Sequence, residues 1–290
     1  MGPLEGFRVI ELAEGVAGPQ CGMQLAQAGA EVIKLEPLAG DRARGWGSAA
    51  LGDLGAVFEA LNRGKASVAV DFDVELSPAL RDLLRSADVV VADVSELPAP
   101  WLAYEQLADS NPGLIYVAIS GWGARGPWAS GVGGELQAQM ASEATTGLGA
   151  PGAPPVRFAV DLAGAYTSVF AVQAVCAALI ERMHSGVGQR VDLSLFGSMM
   201  FARTEMWVAM SDQDSWGGTF LENELVPPLH GYRCKDGHIY CSFARSTPSQ
   251  RQQLIERLDA AWIRDDPLYE AWLADRFVKI QDRSSSGEIA

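Results

Sequence analysis

Short apolar runs alternate with stretches of helical spacing through most of this chain. Arg8-Val9-Ile10-Glu11-Leu12 reads as a strand. Gly18-Pro19 punctuates the next stretch, with Pro19 suited to a first helical turn. Met23, Leu25 and Ala26 then give a helix its apolar face, and Gly29 ends it. Glu31-Val32-Ile33-Lys34-Leu35 is a second strand, reached by so short a connection that the two should lie parallel through a right-handed crossover. The pattern recurs with a strand at Ser67–Val70, a helical stretch at Leu80–Leu84, and strands at Asp88–Ala92 and Leu114–Ile119. The consecutive valines Val89, Val90 and Val91 suit a parallel strand covered on both faces. These elements predict an α/β fold with a Rossmann-like, open and mostly parallel sheet.

Ser120–Ser130 is a Gly/Trp-rich loop, followed by a helix from about Glu135 to Ala144 and a Gly/Pro/Ala linker at Gly147–Pro155. A long helix follows Asp161 and ends near His184. Ser185–Gly188 turns the chain, Gln189–Leu193 is extended, and Phe196–Met210 is helical. After Ser211 the texture changes. Trp216-Gly217-Gly218 opens a loop, and Tyr232–Lys235 and His238–Cys241 flank Asp236-Gly237, a hairpin signal. The chain therefore divides into a large domain at 1–211, a portion of a smaller α+β region at 212–280, and a disordered tail at 281–290. Leu162–Ile180 is uncharged and long enough to span a bilayer. It also carries Tyr166, Thr167, Ser168 and Gln173, and Asp161 and Glu181 bracket it with no basic anchor before Arg182. The prediction is a buried helix and no membrane association.

Composition narrows the function. With 290 residues, 48% of them hydrophobic, the chain can bury a sizeable core. A formal net charge of -14 argues against nucleic acid as a partner. The four cysteines form no CxxC pair, and no secretory segment is read ahead of them, so a reduced, cytoplasmic setting is expected. Glu14-Gly15-Val16-Ala17-Gly18 after the first strand lacks the GxGxxG spacing of a nicotinamide site. The three histidines, His184, His230 and His238, form no metal set with the cysteines, and no metal is expected.

Several segments in order carry a resemblance. They are Pro3–Val9, Ala17-Gly18-Pro19, Gly29–Glu36, Gly40-Asp41 with Arg44, and Leu61-Asn62-Arg63-Gly64-Lys65-Ala66-Ser67. Asn111–Tyr116, Ser120–Gly123 with Gly126-Pro127, Asp161–Gly164 and Gly186–Asp192 continue the series. Together, over nearly the whole chain, they resemble the family III CoA-transferases, the CaiB/BaiF-like group that includes formyl-CoA transferases. The resemblance implies a Rossmann-like large domain, a small domain and two interlocked chains. It also implies acyl-CoA as substrate together with a small carboxylic acid, and an aspartate that attacks the thioester, matched here by Asp161.

The residue types suit that chemistry. A carboxylate can split one acyl transfer into two easier steps, and thiolate is a tolerable leaving group near neutral pH. Asp161 directly precedes a helix, where it could equally be an ordinary N-cap. Glu135 and Gln139, four residues apart on one helical face, resemble a family segment. Glu135 could steer proton or acyl movement or be a plain helix-start acid, and Gln139 could donate to a substrate oxygen. Lys34, Arg44, Arg63 and Lys65 are candidates for the CoA phosphates and adenine, or else solvated surface charge. Val16 and Ala17 are candidates for backbone beside the pantetheine arm.

Departures also count. Ala92-Asp93-Val94 stands where many members read Glu-Asn-Phe or Glu-Asn-Tyr, making Asp93 an altered cofactor contact. Asp73 replaces a common basic residue. The match stops near Phe277, where family members continue with a segment returning to the large domain. Another polypeptide would supply that return, or the chain is a truncated or divergent member. The expected activity is therefore an acyl-CoA:carboxylate CoA-transferase passing through aspartyl anhydride and aspartyl-CoA thioester, as a homodimer or as a heteromer with a second CoA-transferase-like chain. The alternatives are a non-catalytic or partner-dependent subunit, or an acyl-CoA racemase or isomerase. The racemase lacks a histidine in the Gly133-Gly134-Glu135 segment.

Overall fold

The computed structural model describes residues 2–47, 49–51, 54–95, 97–145 and 154–204. Beyond these it describes the shorter stretches 232–234, 237–239, 247–257, 259, 261–265 and 269–270. The chain forms two compact units: Met1–Leu148 with Pro155–Arg203, and Gly149–Pro154 with Thr204–Ala290. The expected large-domain boundary after residue 211 and the expected tail lie outside the described residues.

In the first unit, β1 (Arg8–Leu12), β2 (Glu31–Pro37), β5 (Ala66–Val70), β6 (Val89–Asp93), β7 (Ile115–Ser120) and β8 (Gln189–Ser194) make one six-stranded sheet. Its order is β5-β2-β1-β6-β7-β8, and every neighbouring pair is parallel. This is the doubly wound arrangement, and the direction of winding reverses between β1 and β6. The valine run of β6 now has its reason. Val89 and Val91 face a core with Cys21 and Leu25 of α1 (Ala17–Gln27) and Ala171, Val175 and Leu179 of α6 (Leu162–Ser185). Val90 and Ala92 face the opposite core, built with Leu84 of α3 (Pro78–Arg85), Leu107 of α4 (Tyr104–Ser110) and Tyr116. A strand buried on both faces has no use for polar alternation.

Local sequence explains the helix ends. Ser77 accepts from Leu80 N at 3.3 Å, with Pro78 in the first turn of α3. The start of α1 lies so close to the end of β1 that a methyl on Gly18 would stand 2.2 Å from Ala13 Cβ. Gly186 closes α6 in the left-handed conformation (φ 73°), as an αL cap requires. α6 is long and apolar enough to cross a membrane. Its small and polar residues Ala163, Gly164, Thr167, Ser168, Ala171 and Ala178 are buried in the fold, as in a helix packed against protein.

Two short elements, α2 (Ala56–Leu61) and the β3–β4 pair (Ala49–Leu51 with Leu54–Gly55), were not expected from the apolar pattern. The helix after Glu135 is α5 (Glu135–Ala141), three residues shorter than predicted, and α7 spans Leu195–Ala202. In the second unit, β9 (Tyr232–Cys234) and β10 (Gly237–Ile239) pair antiparallel with Cys234 opposite Gly237. The hairpin register thus sits one residue earlier than the Asp236-Gly237 reading placed it. α8 (Pro248–Arg257) opens with a reciprocal cap, in which Thr247 N donates to Gln250 Oε1 at 2.8 Å and Gln250 N to Thr247 Oγ1 at 3.3 Å.

Candidate active site

The start of α6 is held by the start of α5. Glu135 Oε1 accepts from Ala163 N and Oε2 from Gly164 N, each at 2.8 Å. One turn on, Gln139 is fully buried. Its Nε2 donates to Glu135 Oε1 at 2.6 Å and to Val160 O at 3.1 Å, while its Oε1 accepts from Phe158 N at 3.0 Å. The two side chains therefore pin residues 158–164 to one helix face, the i, i+4 face that the sequence identified.

Asp161 sits at the N-cap position of α6 but makes no side-chain cap bond. Its carboxylate, partly exposed, pairs with the Arg157 guanidinium. The ordinary N-cap reading of Asp161 is thereby corrected: the amides such a cap would take are occupied by Glu135, a residue remote in sequence. Gln139 as a donor to substrate is corrected as well, because both amide hydrogens are engaged within the fold. Arg157 was missed by sequence reasoning. Its signal was an i, i+4 spacing from Asp161 in a segment with no helical pattern to draw attention to it.

The β1–α1 loop borders the same place. A methyl added to Gly164 would stand 3.0 Å from Val16 Cβ and Cγ1 and 3.5 Å from Ala17 N. Val16, Ala17, Glu135, Gln139 and Asp161 thus converge. The other side of that loop lines a cavity of about 120 Å³, bounded by Leu12, Glu14, Arg42, Phe72 and Asp93 among others. It lies at the carboxyl ends of β1, β2 and β6, by the point where the winding reverses and doubly wound folds place ligands. Asp93 accepts from Ser95 N there at 3.0 Å. Burial and then the nearby Asp41 charge push the Glu14 carboxyl up. Glu14 and Arg42, paired at 3.5 Å, were also missed, because only the sheet order brings them beside Asp93.

Three of the four expected phosphate-binding cations are committed elsewhere. Lys34 Nζ, buried, reaches Glu11 Oε1 at 2.9 Å and Asp41 Oδ2 at 2.8 Å and donates to Ala13 O. Lys65 Nζ reaches Glu11 Oε2, Pro19 O and Asn62 Oδ1, each at 2.8 Å. The contacts on Glu11 Oε2 and Asp41 Oδ2 are ion pairs without hydrogen-bond alignment. Each ammonium thus makes two hydrogen bonds and one further ion pair inside the fold, so its charge is already committed to internal carboxylates. Arg44 forks onto Glu36 at 2.8 Å and lies 4.0 Å over the Phe58 ring. Burial alone would depress Lys34, but Glu11 and Asp41 outweigh it and hold it raised; for Lys65 burial prevails and lowers it. Arg63 remains exposed, donating to Met23 Sδ at 3.4 Å.

An aromatic group adjoins the start of α5. Trp122 meets Trp128 at 4.8 Å and Phe196 at 5.6 Å between ring centroids, and its Nε1 donates to Val132 O at 3.0 Å. Among the described residues no group of three or more His, Cys, Asp or Glu could hold a metal ion.

Comparison with known proteins identifies the family. The sequence profile of CoA-transferase family III matches residues 4–282. A succinate–glutarate CoA-transferase of Agrobacterium fabrum is 41% identical over 203 residues, covering 67% of this chain and 51% of the relative. An (R)-2-hydroxy-4-methylpentanoate CoA-transferase of Clostridioides difficile is 32% identical over 242 residues, covering 81% and 60%. A CAIB/BAIF family protein from Brucella suis superposes with a TM-score of 0.75 at 30% identity, covering 95% of this chain and 75% of that one. The chain spans 51% to 60% of the length of these two curated relatives. On its profile match and its fold, the chain belongs to CoA-transferase family III.

Proposed function

We propose that this chain moves coenzyme A from an acyl-CoA to a small carboxylic acid, with Asp161 as the covalent nucleophile. The observation that carries this reading is the division of labour between two carboxylates at one helix start. Glu135 takes the backbone amides, and Asp161 stays outside the cap, partly exposed and paired with Arg157, at the helix start where Gly164 packs on Val16.

The cycle balances without an added reactant. Ionised Asp161 attacks the thioester carbonyl, CoA departs as thiolate, and an anhydride joins Asp161 to the donor acid. The thiolate attacks the aspartyl carbonyl, the donor acid leaves as carboxylate, and Asp161 carries CoA as a thioester. The acceptor carboxylate then attacks that carbonyl and expels the thiolate, leaving a second anhydride. The thiolate takes the acceptor's acyl carbon, and Asp161 is free again. Succinate and glutarate, named for the Agrobacterium relative, are the first acids to test here. The proposal includes a cytoplasmic homodimer of interlocked chains.

One observation favours a second reading, in which the chain works only with another CoA-transferase-like polypeptide. Lys34, Arg44 and Lys65 are bound to internal carboxylates, so the CoA phosphates would draw on other cations. No observation favours racemisation. His184, the one described histidine near a helix terminus, lies at the far end of α6 from Asp161.

The test is incubation with succinyl-CoA and hydroxylamine, followed by peptide mass mapping. Attack at the aspartyl carbonyl of either acyl intermediate leaves a hydroxamate on Asp161 and releases succinate or CoA thiol. A hydroxamate on Asp161 supports the reading. Turnover with an unmodified Asp161 refutes it.

A further inference from the structure

We infer that Glu135 is a positioning residue that occupies the α6 N-terminus so that Asp161 cannot cap its own helix; this rests on the reading of Asp161 as nucleophile. An N-cap aspartate ordinarily accepts from the amides two and three residues on. Counted from Asp161, those are Ala163 and Gly164, the two amides bonded by Glu135 at 2.8 Å. Asp161 itself has φ -80° and ψ 76°, outside the extended conformation usual for a cap.

The consequence is chemical. A carboxylate that accepts two backbone N–H bonds is held in its ionised form and loses lone-pair availability, which makes it a poorer nucleophile. Glu135 prevents that, and Gln139 keeps Glu135 in place through the 2.6 Å bond to Oε1 while fixing Phe158 and Val160 on the strand of chain leading to Asp161. The helix end is satisfied, and Asp161 is left to the exposed Arg157 guanidinium instead of the helix amides. Close packing of Val16 on Gly164 closes the same turn from the other side.

Removing Glu135 opens the two amides, which lie two and three residues after Asp161. In Glu135→Ala, Asp161 turns inward to cap α6. Acylation of Asp161 then has to break two charge-assisted hydrogen bonds, slowing it on the order of 100-fold. KM for the acyl-CoA is unchanged.

The experiment uses wild type, Glu135→Ala, Asp161→Ala and the double variant. It measures urea unfolding for all four, and the rate and KM of hydroxamate formation on Asp161 with succinyl-CoA and hydroxylamine. The expected result is coupling: Glu135→Ala costs little stability while Asp161 is present and clearly more when it is absent, because Asp161 is the replacement cap. Additive stability losses overturn the proposal. So does a rate loss without that stability coupling, which would make Glu135 a participant in the chemistry. A wild-type chain with no hydroxamate would overturn the nucleophile reading alone, since the unfolding cycle does not depend on turnover. Glu135→Gln, which keeps one acceptor oxygen, replaces Glu135→Ala should the latter not fold, with a smaller coupling and an intermediate rate expected.

Discussion

Replacing Lys34 with Met tests the charged cluster beneath the sheet's carboxyl edge. The side chains of Lys34, Glu11 and Asp41 are 2%, 0% and 0% exposed. Glu11 would keep Lys65, but Asp41 Oδ2 would lose its ammonium partner while Oδ1 keeps the Ala43 N bond at 2.7 Å. Removing one member of a buried pair costs ~3–5 kcal/mol, mostly from the charge left without a partner. Methionine refills much of the volume, so packing loss adds little. For a unit of this size that is roughly 6–20 °C in Tm. Calorimetry and urea unfolding at low and high salt read it directly. The loss should persist at high salt, unlike any change at the exposed Arg8–Glu31 pair, and should shrink when Asp41→Asn is added. A loss below about 1 kcal/mol that vanishes in salt would refute the reasoning, since only a solvated pair behaves that way.

Three other outcomes are expected. Burial alone would raise the Glu36 carboxyl, but hydrogen bonds from Arg44, Ser67 and the Asp41 amide hold it at about 2. A depressed carboxyl contributes stability fully present above its unfolded value near 4.5 and lost as pH falls through about 2. Arg44→Ala should therefore remove about 2 kcal/mol at pH 7, and less toward pH 2, in urea titrations at stepped pH. Gly164→Val should displace the Val16 turn and lower the rate of Asp161 acylation at least tenfold with little change in far-UV circular dichroism, because even a methyl meets Val16 at 3.0 Å. Gly18→Ala should cost roughly 2–3 kcal/mol by forcing α1 off β1, read as a lowered Tm.

Much of the sheet was legible because its strands are continuous apolar runs. Val89–Asp93 and Ile115–Ser120 can only be strands buried on two faces, and parallel winding follows from the intervening helical stretches. The exposed edge strand β5 was found through β-branched residues alone. α2 escaped notice because one and a half turns carry too little periodicity.

At the site, the convergence of Glu135, Gln139 and Asp161 was suggested by spacing and resemblance, but the residue that caps α6 was not foreseen. Local position favours Asp161, and only tertiary contact brings Glu135 to Ala163 and Gly164. The lysines failed for a related reason. Placing β1 against β2 puts Arg8 opposite Glu31 and Glu11 opposite Lys34, so two complementary charge pairs fall into register. Aligning the two strand sequences side by side is enough to find that register, and it matches Lys34 to an internal carboxylate instead of a phosphate.

The central claim is that Asp161, freed from its helix cap by Glu135, becomes acylated. The most direct measurement is to mix the protein with succinyl-CoA, quench rapidly with borohydride and map the peptides by mass. Reduction of an Asp161 thioester or anhydride to the alcohol, seen at that residue and absent in Asp161→Asn, is the predicted result. Reduction at another carboxylate, or none in a preparation that turns over, would contradict it.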